Sequence, residues 1–235
     1  MDETKTVRIQ TSVLNAAEKK LLVWLAERQP RWVNSDMLTF LGTLGAIVIG
    51  AGYLLSDLNI KYLWIASLGF VINWYGDSLD GTLARVRKQQ RPIYGFYVDH
   101  TMDVVNEIFM FLGIGLSQLV HFDLAVLCLL LYIMLTLNVT TNTHLKGEFK
   151  LTYFSLGPTE FRLLMIVANT LLIYVKPITA YSREFVFRGS TITVGMLDYF
   201  ALAVLVLLSV IYVVTIIKDI CYYSKKDPLP ERHDK

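Results

Sequence analysis

The chain is poor in charge. Only 18% of its 235 residues are Asp, Glu, Lys or Arg, where a soluble domain carries about a quarter. It has just two cysteines, Cys128 inside an apolar run and Cys221 near a basic stretch. Neither has a partner at metal-site spacing, which argues against a disulfide framework and a thiolate metal centre. The net charge is only +2 and is spread over the loops, so nucleic acid is not an expected partner. The N-terminus lacks a basic segment followed by an apolar stretch, so a cleavable signal peptide is not expected. Long polar insertions and internal repeats are missing too.

What the chain has instead is apolar length. Hydrophobic residues make up 54% of it, gathered into runs near the ~20 residues that a bilayer requires of a helix. Six spans are expected, at about 37–55, 61–76, 96–120, 122–140, 161–181 and 194–217, the second continuing as helix through 77–88. The expected fold is an all-α integral membrane protein, with six transmembrane helices and an N-terminal interfacial amphipathic helix. Residues 1–33 form the cytoplasmic interfacial segment, 34–220 the membrane domain and 221–235 a basic tail.

In residues 12–28, apolar Val13, Leu14, Ala17, Leu21, Trp24 and Leu25 recur at helical spacing opposite a charged face. That pattern suits a helix lying on the membrane surface, or equally one packed on another part of the protein. Basic residues set a topology. Lys5, Arg8, Lys19, Lys20, Arg28 and Arg31 precede the first span; Arg85, Arg87, Lys88 and Arg91 follow the second. Lys146 and Lys150 follow the fourth, and Lys218, Lys225 and Lys226 the sixth. The alternate loops hold fewer: Lys61, then none, then Lys176, Arg183 and Arg188. Both termini and the site are therefore expected on the cytoplasmic side, of the plasma membrane if the source is bacterial.

The chemistry is concentrated between Asp77 and Asp103. Asp77 and Asp80 are three apart, and Asp99 and Asp103 four apart, so on helices each pair shares a face. Glu107 extends the second face and His100 lies beside it. A carboxylate near the centre of a membrane helix costs on the order of 2.5–3.5 kcal/mol, so such a group belongs in a wet cavity with shared cations. Carboxylate oxygens suit hard ions, Mg2+ or Mn2+, which in turn bind phosphate. Gly81 and Ala84 leave room against the backbone, and Arg85 offers a forked guanidinium to a phosphate. The residues alone thus point to a two-cation, diphosphate-binding site at the membrane boundary.

The pattern Asp77-x2-Asp80-Gly81-x2-Ala84-Arg85-x9-Gly95-x3-Asp99-x3-Asp103 resembles the motif of the CDP-alcohol phosphotransferases, class I. The gap between Arg85 and Gly95 is one residue longer than is usual there. The resemblance implies an enzyme of phospholipid synthesis that moves a substituted phosphate from a CDP-alcohol to a hydroxyl and releases CMP. It implies two divalent cations held by Asp77, Asp80, Asp99 and Asp103. It implies nucleotide contacts from Asp80, Gly81, Ala84, Arg85 and Gly95, with Gly95 also allowing close helix approach. It implies Asp103 as general base, a lipid among the two substrates, and a homodimer.

Asp99-His100-x2-Asp103 is similar to the branch using CDP-choline or CDP-ethanolamine with a lipid acceptor, where this His is implicated in catalysis. Gly157-Pro158-Thr159-Glu160 resembles an element of that branch, one residue short. The chain's length favours the other branch, in which CDP-diacylglycerol meets inositol phosphate, glycerol phosphate or serine. Few basic residues are available for an acceptor phosphate, Arg162 among them, and the amino-alcohol branch is preferred. Asn34 reads as a helix cap or a ligand contact, and Asn138 and Asn142 as helix-to-helix hydrogen-bonding groups. An intramembrane prenyltransferase would also use paired Asp motifs and Mg2+, but on motifs far apart in sequence. A divalent-cation transporter would not need Arg85 among the ligands.

Overall fold

The computed structural model describes residues 7–9, 15–146, 148–150, 158–187 and 190–229. Chain order is β1 (Val7–Ile9), α1 (Asn15–Glu27), α2 (Ser35–Leu55), α3 (Leu63–Val86), α4 (Pro92–Leu116), α5 (Phe122–Lys146) and β2 (Glu148–Lys150). It continues with α6 (Pro158–Tyr174), α7 (Lys176–Ala180), β3 (Ser182–Phe187), β4 (Ser190–Gly195) and α8 (Met196–Lys226). The protein is mostly helical, as its composition predicts, with two small ribbons added. β1 pairs in parallel with β2, and β3 with β4 in an antiparallel hairpin.

Among the described residues, three helices are long and apolar enough to cross a bilayer by length and composition: Ser35–Leu55, Phe122–Leu145 and Met196–Lys226. The apolar side chains of α8, such as Val206, Val210 and Ile217, are largely exposed, as on a helix bathed in hydrocarbon. The other expected spans fall on α3, α4 and α6, which carry Asp77, Asp80, Arg85, Asp99, Asp103, Glu107, Glu160 and Arg162. Their charge is the site's charge. The fifth expected span, 161–181, is not one helix. α6 ends at Tyr174, and α7 starts anew with Pro177 in its first turn. Proline lacks the N–H and its ring collides with the carbonyl four residues back, so the helix cannot run through it. The 17 residues of α6 measure about 25 Å, against a hydrocarbon core of about 30 Å.

The frame is the antiparallel pair α2 and α3. Small residues let these backbones close up. A Cβ added to Gly52 would lie 2.7 Å from Ala66 Cα, and one on Gly45 2.8 Å from Asn73 Cα. On the next face of α2, Gly50 meets Gly113 and the Phe109 carbonyl of α4 in the same way. At one end of the bundle Leu22, Ala26, Val33, Leu38, Leu79 and Leu83 form a buried cluster. At the other, Ile49, Tyr53, Leu63, Ala66, Phe70 and Leu172 form a second. Asn169 of α6 is pinned there, accepting from Tyr53 at 3.1 Å and donating to Ser67 at 3.2 Å. Asp198 closes the start of α8: it accepts the backbone N–H groups of His121 and Gly195, each at 2.8 Å.

α1 packs on the protein through Leu22 and Ala26 while Leu21 and Trp24 stay exposed. Its Glu18 accepts from Trp74 Nε1 of α3 at 2.8 Å and from Thr159 Oγ1 of α6 at 2.6 Å. Arg87, just past α3, donates to the carbonyls of Gln29, Pro30 and Val33, where a cation also meets the carbonyl end of α1. The structure thus bears out packing on the protein, one face being buried on α3, while Leu21 and Trp24 stay open. Val13 and Leu14 lie outside the described residues, as does Gly157. α8 runs on to Lys226, into the stretch expected to be a tail.

Candidate functional site

α3 continues unbroken from Leu63 to Val86 and so carries Asp77, Asp80, Gly81, Ala84 and Arg85 on one helix. α4 begins at Pro92, a residue pre-set for a first turn, and carries Gly95, Asp99, His100 and Asp103. Their crossing brings one oxygen each of Asp77, Asp99 and Asp103 within 4.8 Å of one another. An all-oxygen, three-carboxylate set of this kind fits a hard divalent cation. These carboxylates are half-buried, and their mutual repulsion is the reason the arrangement needs positive charge.

Part of that charge comes from α6. Arg162 Nη2 lies 2.5 Å from Asp77 Oδ2, and its Nε donates to Asn73 Oδ1 at 2.9 Å. Asn73, fully buried one turn before Asp77, donates in turn to the Gly42 carbonyl at 2.9 Å. A chain of hydrogen bonds therefore ties the α2 backbone to the guanidinium that grips Asp77. Arg162 is a salt-bridge partner of the cluster.

Asp80 is placed differently from the other three. Its Oδ2 accepts from Thr39 Oγ1 of α2 at 2.6 Å, and its Oδ1 accepts its neighbour's N–H, that of Gly81. Ser35 Oγ donates to the Asp80 carbonyl at 3.0 Å, so the first turn of α2 covers this residue. Asp80 thus stands beside the converging trio with its carboxylate turned to α2.

Next to it the surface is open. A Cβ built on Gly81 meets only Arg85 Nη1, at 3.4 Å, among the described residues. Arg85 donates to Thr82 Oγ1 at 2.9 Å and its side chain lies along the helix, over that space. Gly95 corrects one expectation. A Cβ there would meet nothing within 4 Å among the described residues, so it serves no close helix approach between them; the glycines of α2, with Gly113, do that instead. The reason is position: Gly95 is in the exposed first turn of α4, ahead of the point where the helices touch.

His100 lies inward of Asp99. Its Nδ1 is 2.9 Å from the Phe96 carbonyl and 3.8 Å from Asp99 Oδ2, and its ring stacks on Phe96 at 4.0 Å. Beyond Asp103, Glu107 Oε1 accepts from Thr136 Oγ1 of α5 at 3.1 Å. On the far side of α5, Asn138 and Asn142 both donate to Asp219 of α8, at 3.2 and 2.7 Å. That is the helix-to-helix bonding expected of them. Asn34 caps α2, accepting the Met37 N–H at 2.8 Å. Thr39 and Asn73 were missed from sequence. Asn73 had a signal, an isolated polar side chain in an apolar run one turn before Asp77, whereas Thr39 lies on a helix with no motif residue and had none.

Residues 32–215 match the family model described as CDP-alcohol phosphatidyltransferase. The chain belongs to the CDP-alcohol phosphatidyltransferase family. No curated protein matches it in sequence. Membership makes the chain a membrane transferase of the phospholipid-synthesis type, acting on a CDP-alcohol and an alcohol acceptor. The family uses divalent cations, and the three-carboxylate group could bind one.

Proposed function

We propose that the chain transfers a substituted phosphate from a CDP-alcohol to a hydroxyl acceptor, releasing CMP, at the junction of α3 and α4. The convergence of Asp77, Asp99 and Asp103 within 4.8 Å carries this reading. These three, with Asp80, would hold two divalent cations, Mg2+ or Mn2+. Such cations supply charge neutralisation to a diphosphate as its anhydride bond breaks. Asp80, Gly81, Ala84, Arg85 and Gly95 bind the CMP portion, in the open space above Gly81. Asp103 takes the proton from the acceptor hydroxyl, and His100 assists from beside Asp99. Arg162 holds Asp77 in place.

The donor we favour is a CDP-amino-alcohol of the CDP-choline or CDP-ethanolamine type, with a lipid acceptor. Two observations support it. His100 stands against Asp99, and Arg162 is occupied by Asp77 and Asn73 instead of being presented to an acceptor phosphate. Six spans with both termini cytoplasmic, and a homodimer, are proposed from the charge pattern and the family respectively.

Titration of purified protein with CMP in Mg2+ tests the site. Asp99→Ala and Asp80→Ala should each weaken CMP binding by on the order of tenfold or more, the scale of a lost charged contact. Undiminished CMP affinity in both would break the cation-bridged site.

A further inference from the structure

One polar group inside the bundle has no place in the nucleotide site. Glu107 lies one turn beyond Asp103 on α4. Its Oε1 accepts from Thr136, but its Oε2 is buried with no hydrogen-bond partner among the described residues. Its neighbour Asn106, 7% exposed, has a buried Oδ1 in the same condition. One turn further along α4 stands Phe111, whose ring lies 5.9 Å from that of Tyr132 on α5, tilted by 45°. Tyr132 is one turn before Thr136 and within electrostatic range of Glu107, Asp103, Asp77 and Arg162.

Both unpaired atoms are acceptors, and the side chains next to them are aromatic. A buried carboxylate oxygen needs a donor or a cation. A hard dication takes oxygen ligands alone, whereas the ring faces beside this carboxylate attract organic cations. The spacing also fits. One helical turn separates Glu107 from Asp103, about 6 Å along the axis, which is the scale of a two-carbon linker between a phosphate and an ammonium group.

We propose that Glu107, with Tyr132 and Phe111, binds the ammonium group of the CDP-amino-alcohol while the phosphates lie at Asp77, Asp99 and Asp103. This rests on the function proposed above and names the residues that select its donor. Glu107 is here a specificity residue, with no part in the transfer step.

Titration calorimetry of the purified protein in Mg2+ tests it with three probes: CMP, CDP-choline, and an uncharged isostere with a tert-butyl group in place of trimethylammonium. The wild type should bind CDP-choline more tightly than the isostere by on the order of tenfold. Glu107→Gln should cut that preference, leaving at most the share due to the rings, and leave CMP affinity unchanged. Equal wild-type affinity for CDP-choline and the isostere overturns the proposal, and that comparison needs no variant to fold. An undiminished preference in Glu107→Gln overturns it as well. CMP bound without any preference sinks the ammonium site alone, while no CMP binding at all sinks the nucleotide site with it.

Discussion

Asp103 sits where two demands meet: it belongs to the three-carboxylate group, and it is the residue proposed to take the acceptor's proton. Asn at this position keeps the shape and removes the basicity. Asp103→Asn is expected to retain CMP binding and to lower turnover by about 10²–10⁴, the usual worth of a general base. Single-turnover assays beside CMP titrations check this, and wild-type turnover would remove Asp103 as the base. The acidic residues were legible because helical periodicity turns spacings of three and four into shared faces. Arg162 was legible only as a candidate. Its bond to Asn73 joins positions 89 apart in sequence, and no local spacing announces such a contact. Thr39 over Asp80 was hidden for the same reason, with 41 positions between them.

At the scale of elements, the site depends on how closely α2 and α3 approach. Gly52→Ala would press a methyl group to 2.7 Å from Ala66 Cα, where backbone leaves no give. Overpacking of this kind costs about 1–3 kcal/mol, so thermal unfolding in detergent should shift clearly downward. Gly95→Ala is the control, since its methyl group would meet nothing within 4 Å among the described residues. It should leave stability unchanged or raise it by up to about 1 kcal/mol through better helix propensity. Equal destabilisation by both would contradict the packing described here. Long apolar runs made most helices legible. The break after Tyr174 was signalled by Pro177, but the apolar residues on both sides read as one span. The β3–β4 hairpin was hinted at by the alternation Thr191-Ile192-Thr193-Val194, yet that is too short to stand out beside apolar helices.

Across the whole molecule, basic residues collect at the end that holds the carboxylates. The α1–α2 connection, Arg87 and the close of α8 all lie on the side proposed to be cytoplasmic. The two cysteines offer a direct check, since Cys221 is exposed and Cys128 buried. A membrane-impermeant maleimide should label Cys221 in inside-out vesicles and leave it unlabelled in right-side-out ones. The opposite pattern would invert the proposed topology. Cys221→Ser should abolish the labelling, which assigns it to that residue. Charge alone gives the proposed sidedness, and no pattern along the chain gave the docking of α1. Its pattern names an apolar face, but what covers that face is decided by Glu18 meeting Trp74 and Thr159.

The central claim is that carboxylates on α3 and α4 make this chain a CDP-alcohol phosphotransferase. The most direct test is CMP release by purified protein in Mg2+, offered CDP-choline, CDP-ethanolamine or CDP-diacylglycerol with pooled acceptors. CMP released with an amino-alcohol donor, and lost in Asp103→Asn, is the predicted result. Protein that neither releases nor binds CMP with any donor would contradict it.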